Sequence, residues 1–258
     1  MMNIVAVIPA RMESSRFPGK PMAQIHGMPM IGHCLKRAEM SDSLNGVYVA
    51  TCDEEIHDYI KSIGGKSIMT KDTHERACDR AAEAMSKIES QTDQKVDILL
   101  MLQGDEPMIN DQMIKAALKP LIDDPEVKIS NLYREIESVD EFEDPNEVKV
   151  VLDNQGNALY FSREPIPSRK KGHDEVPMYK QICSIPFRRD YLLEFNEMEQ
   201  TRLEIIESID MNRIIENGQK VKMEYSEYES FSVDNEADLQ RVIQAMKDDP
   251  LIPKYIGG

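Results

Sequence analysis

An α/β fold with a largely parallel central sheet is what this sequence predicts, on three observations. Short apolar runs alternate with stretches of helical spacing over the first 125 residues, the pattern of strands joined by crossover helices. The strongest of these runs, Asn3–Ile8 and Val96–Gln103, are short enough for buried strands. The chain has 258 residues, 41% of them hydrophobic, enough to bury a substantial core.

Asn3–Ile8 reads as a strand closed by Pro9. Met28–Met40 has helical spacing through Met30, Ile31, Cys34, Leu35 and Ala38, and Gly46–Thr51 is a second strand. Asp53–Ile63 is a helix stopped at Gly64-Gly65. Lys66–Met69 is a strand, Arg76–Ile88 a helix, and Val96–Gln103 an apolar strand halted at Gly104.

The middle of the chain changes character. Val127–Tyr133, Val148–Leu152, Leu159–Ser162 and Tyr179–Pro186 are β-like, separated by turns such as Asp153-Asn154-Gln155-Gly156. Pro165–Pro177, rich in proline and charge, reads as an exposed loop. Thr201–Glu216 returns to helical spacing and stops at Asn217-Gly218. Lys220–Tyr225 and Ser230–Val233 are expected strands and Asn235–Lys247 a closing helix. No linker divides the chain, so residues 1–258 are expected to form one domain with a β-rich insertion at about 127–200.

Composition narrows the function. With 47 acidic against 31 basic residues the formal charge is −16, which argues against non-specific nucleic-acid binding. A small polyanion remains admissible, because a local cationic pocket can sit in an acidic protein. No run approaches the length needed to span a bilayer. The residues after Met1 lack a basic segment and a small-residue cleavage site. Cys34, Cys52, Cys78 and Cys183 are far apart and the histidines scattered, so neither a zinc site nor a disulfide framework is expected. A reducing cytoplasm is the default setting.

Three clusters carry possible chemistry. The first is the loop after the first strand, where Arg11, Arg16 and Lys20 fall among Pro9, Ala10, Pro18, Gly19 and Pro21. Ligands gather at the carboxyl ends of strands in such sheets, so these cations are placed to meet one anion. The loop is no P-loop, since Lys20 precedes proline rather than a hydroxyl residue, and it also reads as a plain basic turn. The second is Gln103-Gly104-Asp105-Glu106-Pro107, where a carboxylate after an apolar strand can hold Mg²⁺ or simply make a turn. The third is Ser232-Val233-Asp234-Asn235, in which either acidic or amide side chain would also serve as a helix cap. Together they supply cations for phosphate and two separated carboxylates for a metal, the parts of a nucleotidyl-transfer site.

These strings resemble the 3-deoxy-manno-octulosonate cytidylyltransferases (CMP-Kdo synthetases). The resemblance runs through Ile8-Pro9-Ala10-Arg11, Ser15-Arg16-Phe17-Pro18-Gly19-Lys20-Pro21, Gly27-Met28-Pro29-Met30-Ile31 and Gln103-Gly104-Asp105-Glu106-Pro107. It continues through Pro145-Asn146, Val148-Lys149-Val150-Val151, Ala158-Leu159-Tyr160-Phe161-Ser162-Arg163, Ile166-Pro167, Tyr228-Glu229-Ser230, Val233-Asp234 and Asp238-Leu239. The matches span residues 3–245 in order.

The resemblance implies a nucleotide-diphospho-sugar-transferase fold, a homodimer and a Mg²⁺-dependent reaction. CTP and a 3-deoxy-2-ulosonic acid would give the CMP-sugar and pyrophosphate, for surface polysaccharide biosynthesis. Carried onto matching positions, Pro9, Ala10, Arg11, Arg16, Lys20, Arg80 and Gln103 would bind nucleotide. Arg16, Lys20, Asp105 and Asp234 would be catalytic, the two aspartates as metal ligands. Arg80, Gln103, Arg163, Gln181 and Asp210 would face the acceptor, with the insertion expected to supply its pocket and the dimer contact.

The departures concentrate on the acceptor side. Where the family reads His-x-Ser-Gly-Thr-Asp-Arg, this chain has His74-Glu75-Arg76-Ala77-Cys78-Asp79-Arg80. Where the family reads Lys-His-x-Gly-Ile-Tyr-Gly-Tyr, it has Lys180-Gln181-Ile182-Cys183-Ser184-Ile185-Pro186-Phe187. The family's Leu-Glu-Gln-Leu-Arg becomes Ile209-Asp210-Met211-Asn212-Arg213. Triphosphate and metal positions are kept while acceptor positions change, which leaves a different acid sugar, or a phosphorylated or phosphonate acceptor, as the alternative. A non-catalytic nucleotide binder is the further alternative, disfavoured by the joint presence of Lys20, Asp105 and Asp234. Arg76 either suits a more anionic acceptor or is a solvated residue at a helix start.

Overall fold

The computed structural model describes residues 2–13, 17–171 and 176–256. Along the chain, β1 (Ile4–Pro9) leads through a short hairpin of β2 (Gln24–Ile25) and β3 (Met28–Pro29) into α1 (Met30–Glu39). Next come β4 (Gly46–Thr51), α2 (Glu54–Ser62), β5 (Ser67–Met69), α3 (Ala77–Thr92), β6 (Ile98–Leu102) and α4 (Asp111–Asp123). The middle holds β7 (Ser130–Glu135), α5 (Val139–Glu143), β8 (Lys149–Leu152), β9 (Ala158–Ser162), β10 (Tyr179–Ile182) and β11 (Ser184–Arg188). It closes with α6 (Arg189–Glu197), α7 (Arg202–Glu207), α8 (Met211–Glu216), β12 (Lys222–Tyr225) and α9 (Glu236–Ala245).

The central sheet has the order β11-β6-β1-β4-β5, parallel except for β11, which runs antiparallel to β6. Every residue of β1 and β6 is buried, as strands covered by helices on both faces must be. Alternation along β1 divides the core. Val5 and Val7 join the cluster containing Cys78, Ala81 and Met85 of α3, whereas Ile4, Ala6 and Ile8 join Leu35, Ile60 and Leu118 of α1, α2 and α4. Each valine, leucine, isoleucine or methionine among these contributes about 1.5–3 kcal/mol by leaving water. No helix among the described residues is long and apolar enough to cross a membrane.

A second sheet has the order β12-β7-β10-β8-β9. It takes β12 from beyond residue 200, and β7 pairs with β12 in parallel and with β10 antiparallel. The expected Tyr179–Pro186 strand is two strands in two different sheets. Cys183 separates them: Ile182 pairs with Leu132 in the second sheet, and Ser184 with Leu102 in the first. Thr201–Glu216 is likewise two helices, broken at Ser208, whose φ of 55° leaves the right-handed helical region. Ser230–Val233 forms no strand, although Val233 N–H donates to Asp105 O at 3.0 Å. The Pro165–Pro177 loop has no regular structure in its described part, and residues 172–175 lie outside the described residues.

Candidate active site

β1 and β6 are parallel neighbours, so the loops that follow Pro9 and Leu102 leave the sheet side by side. Gly104 lets them approach: a Cβ there would lie 2.9 Å from Pro9 O. The first loop is closed by Gly19 N–H donating to Met12 O at 3.0 Å, with Gly19 at φ 73°. That positive φ favours glycine, and it sets the start of a 3₁₀ turn beginning at Lys20.

Lys20 Nζ donates to Asp105 Oδ2 at 2.6 Å and lies 3.6 Å from Asp234 Oδ1. The cap of α9 is made by Asn235, whose Oδ1 accepts from Ala237 N and Asp238 N, while Asp238 accepts from Asp234 N and Asn235 N. The capping demand is thus met one residue later, and the Asp234 carboxylate stands beside Lys20. Three segments distant in sequence converge on one ammonium.

Around them lies a cavity of about 470 Å³. Pro9, Ala10, Arg11, Lys20, Gln103 and Asp105 line it from the sheet ends. Arg76 and Arg80 line it from the start of α3, and Arg163, Gln181, Cys183 and Ile185 from the β9–β11 region. Ser208, Ile209 and Asp210, between α7 and α8, complete the wall. Of the residues predicted from sequence, Asp234 stands behind Lys20 rather than in the lining, and Arg16 lies outside the described residues. A second hollow of about 650 Å³, beside Arg37, Met108 and Asp249, contains none of them.

The cations of the cavity differ in how they are satisfied. Arg80 is 3% exposed; its Nη1 donates to Thr70 Oγ1 at 2.5 Å and Lys71 O at 3.2 Å, and its Nη2 has no hydrogen-bond partner. A buried guanidinium held only by neutral oxygens is costly by itself and suited to an arriving anion. Arg163 spends Nε on Glu207 O at 2.8 Å and Nη1 on Pro145 O at 2.9 Å, tying the segment after β9 to the end of α7 and to the loop at Pro145. Gln181 N–H donates to Val148 O, which fixes its strand while the side chain lines the cavity.

Arg76 is neither a bare cation nor a solvated helix start. Its Nη1 lies 3.3 Å from Asp210 Oδ1 and donates to Ser208 Oγ at 3.3 Å. Burial, the largest influence, raises the Asp210 carboxyl above its ordinary range, and Arg76 opposes that. Of the neighbouring departures, Met211 is in the core and Asn212 bonds the Phe161 backbone in both directions, at 3.2 and 3.0 Å. The role of Asn212 is structural, whereas Met211 also lines the cavity.

Two buried groups escaped the sequence reading. Glu106 is pushed up to about 7, first by burial and then by Asp105, and accepts the Cys183 N–H at 3.0 Å. It therefore holds the residue at which the chain passes between sheets; the only signal for it was the Asp105-Glu106 doublet between an apolar strand and Pro107. Glu204 and Arg213 form a buried two-pronged pair at 2.5 and 2.7 Å that clamps α7 to α8 beneath Asp210.

Cationic and acidic loops at the carboxyl ends of a parallel sheet give the site the form of a nucleotidyltransferase. A family model described as Cytidylyltransferase matches residues 5–223, and the chain belongs to that family. It is 40% identical over 256 residues to the 3-deoxy-manno-octulosonate cytidylyltransferase of Geotalea uraniireducens, covering 95% of this chain and 100% of the relative. The protein of the same name from Thermodesulfovibrio yellowstonii is 42% identical over 246 residues, covering 93% and 96%. Among solved structures, a CMP:2-keto-3-deoxy-manno-octonic acid synthetase complexed with CTP superposes with TM-score 0.87 at 35% identity, covering 96% of this chain and 99% of that one. A 4-diphosphocytidyl-2C-methyl-D-erythritol synthase from Anaerococcus prevotii shares the fold at 12% identity, with TM-score 0.62 and coverage of 95% and 99%. The nucleotide-diphospho-sugar-transferase fold expected from the motifs is the one observed.

Proposed function

We propose that this protein transfers CMP from CTP to the anomeric hydroxyl of 3-deoxy-manno-octulosonate and releases pyrophosphate. The observation that carries the reading is Lys20, in the lining of a cavity with further arginines, paired with both Asp105 and Asp234. The relatives that bear this activity in their names, at 39–42% identity, support the choice of nucleotide and acceptor.

The reaction is an in-line displacement at the α-phosphorus. The acceptor oxygen forms the new P–O bond, the bond to the bridging oxygen of pyrophosphate breaks, and the hydroxyl proton leaves to solvent. Positioning and charge neutralisation dominate such transfers. Lys20, Arg11 and Arg16 neutralise the triphosphate and the departing pyrophosphate, and Pro9 and Ala10 line its approach. Gln103 lies where nucleotide and acceptor meet. Arg80, with an unpartnered buried Nη2, receives an anionic oxygen, either phosphate or the acceptor carboxylate. Arg163, Gln181 and Asp210 form the acceptor side, supplied by the second sheet and the α7–α8 turn.

The residues suit a Mg²⁺ ion. Asp105 and Asp234 already converge on a cation, the Lys20 ammonium. No group of three or more metal-ligating side chains occurs among the described residues, which fits an ion completing its shell with phosphate oxygens and water. Bound there, Mg²⁺ would polarise the α-phosphate and lower the pKa of the attacking hydroxyl. A homodimer belongs to the same proposal: Leu159 on the edge strand β9 and Ile205 and Ile206 on α7 are 56–65% exposed and offer apolar surface for it.

Pyrophosphate release from CTP tests the reading. Release should require both Mg²⁺ and the sugar acid, and light scattering should give twice the chain mass. Tight CTP binding with no release in the presence of any sugar acid would leave a nucleotide-binding protein instead.

A further inference from the structure

We infer that Glu83 is a positioning residue for Arg80: it fixes the backbone against which the Arg80 guanidinium is braced, and so keeps that cation in the cavity wall with its Nη2 unspent. The inference rests on the cytidylyl-transfer reading above only in taking Arg80 to meet an anionic ligand oxygen.

One face of α3 holds the chain that precedes it. Arg80, Glu83 and Lys87, at spacings of three and four residues, lie on the same side of the helix. Lys87 Nζ donates to Met69 O at 2.7 Å, at the end of β5. Arg80 Nη1 donates to Thr70 Oγ1 and to Lys71 O, at 2.5 and 3.2 Å. Glu83 Oε2 accepts from Lys71 N at 3.0 Å and from His74 Nε2, and its Oε1 pairs with Lys87 Nζ at 2.7 Å.

Lys71 is therefore gripped twice by side chains one helical turn apart, its N–H by Glu83 and its carbonyl by Arg80. The segment from Lys71 to Arg76 has neither helix nor strand of its own, and Lys71 is exposed. Without Glu83 the carbonyl that braces Arg80 is released. A guanidinium is planar and rigid, so anchoring Nη1 on two oxygens also sets the direction of Nη2. Burial alone would raise the Glu83 carboxyl, but the bonds from Lys87, Lys71 N–H and His74 outweigh it and hold the group down to about 2. The grip is that of a carboxylate, the stronger acceptor, throughout the pH range of an assay.

Wild type, Glu83→Ala, Glu83→Gln, Arg80→Ala and the Glu83→Ala/Arg80→Ala double variant are compared by pyrophosphate release from CTP with 3-deoxy-manno-octulosonate, after circular dichroism has shown each to be folded. Glu83→Ala should lower kcat/KM by about tenfold. Glu83→Gln keeps an oxygen for the Lys71 N–H and should stay within about threefold of wild type. In the Arg80→Ala background Glu83→Ala should cost nothing further, because a residue that acts through Arg80 has nothing left to position. Losses that multiply in the double variant would mean that Glu83 acts through His74 or the fold, and would overturn the inference, as would full activity of Glu83→Ala. The Arg80 Nε–H resonance, assigned by its absence in Arg80→Ala, needs no turnover. It should shift or broaden in Glu83→Ala and keep its place in Glu83→Gln; a resonance unmoved in Glu83→Ala also refutes the positioning. Wild type that releases no pyrophosphate would sink the proposed function alone and leave that resonance to decide the role of Glu83.

Discussion

The Lys20 ammonium rests 2.6 Å from Asp105 Oδ2 although 85 residues separate the two in sequence. The contact joins the loop after β1 to the loop after β6, and Asp234, 3.6 Å away, adds the segment before α9. A cation from the loop after β1 occupies the place where two carboxylates meet. On the proposed assignment Asp105 and Asp234 would hold the metal ion, and Lys20 would pair with phosphate instead.

Lys20→Ala should lower kcat by about 100-fold, on the scale of losing one transition-state charge contact. The KM for CTP should change by less than about threefold, because on the proposed assignment Arg11, Arg16 and Arg80 would still hold the ground-state triphosphate. Steady-state pyrophosphate release with varied CTP separates the two effects. A loss confined to KM would remove Lys20 from the transition state.

Asp234→Asn should raise the Mg²⁺ concentration for half-maximal activity by about tenfold or more while leaving the far-ultraviolet spectrum intact. The second part follows from local structure: Asn235 and Asp238, not Asp234, make the capping box of α9. An unchanged Mg²⁺ midpoint would take Asp234 out of the metal site.

His33 offers a stability test remote from the cavity. It is fully buried, Nε2 bonding Ile25 O at 2.7 Å and Nδ1 bonding the Tyr255 hydroxyl at 2.8 Å. A neutral ring with its proton on Nε2 satisfies both, donating to the carbonyl and accepting from the phenol. Burial lowers its pKa from 6.5 to about 4. Between those values the unfolded chain holds more protons than the folded one, so the stability from the neutral ring is complete above pH 6.5 and lost as pH falls toward 4. The limiting loss is roughly 3 kcal/mol. Urea unfolding of wild type and His33→Gln across pH 7 to 4 should show a shallower decline in the variant, and parallel curves would refute the assignment.

Sequence made the central sheet legible because β1, β4 and β6 are buried on both faces and read as unbroken apolar runs. It was weaker where a local pattern does not say which partner a segment takes. Tyr179–Pro186 has strand character throughout, yet the change of sheet at Cys183 is set by a buried carboxylate 77 residues earlier. The break at Ser208 carries no glycine or proline to announce it. In the cavity, the loop carrying Arg11 and Lys20, and Asp105 itself, were marked by position after apolar strands. Asp234 was obscured by its neighbour's capping role, and the Arg76–Asp210 contact pairs two residues that were each visible only as departures from a motif.

Gly104 tests whether the distance between the two loops matters for catalysis. An added Cβ would meet Pro9 O at 2.9 Å, Ile31 Cδ1 at 3.3 Å and Ala10 Cβ at 3.5 Å. The first of these is backbone of β1 and cannot swing aside, so Gly104→Ala should push the Asp105 loop away from the Lys20 loop. Crowding of this kind costs about 1–3 kcal/mol of stability. Misplacing reacting groups by a fraction of an ångström should cost kcat more, about tenfold or beyond. Gly218→Ala is the comparison: at φ 72° it is strained by about 1–3 kcal/mol, but nothing lies within 4 Å of the new atom and it is absent from the cavity wall. Both variants should unfold at lower urea than wild type, and only Gly104→Ala should lose turnover. Equal turnover in the two would mean that the spacing of the loops is set by ligand binding rather than by the β1–β6 contact.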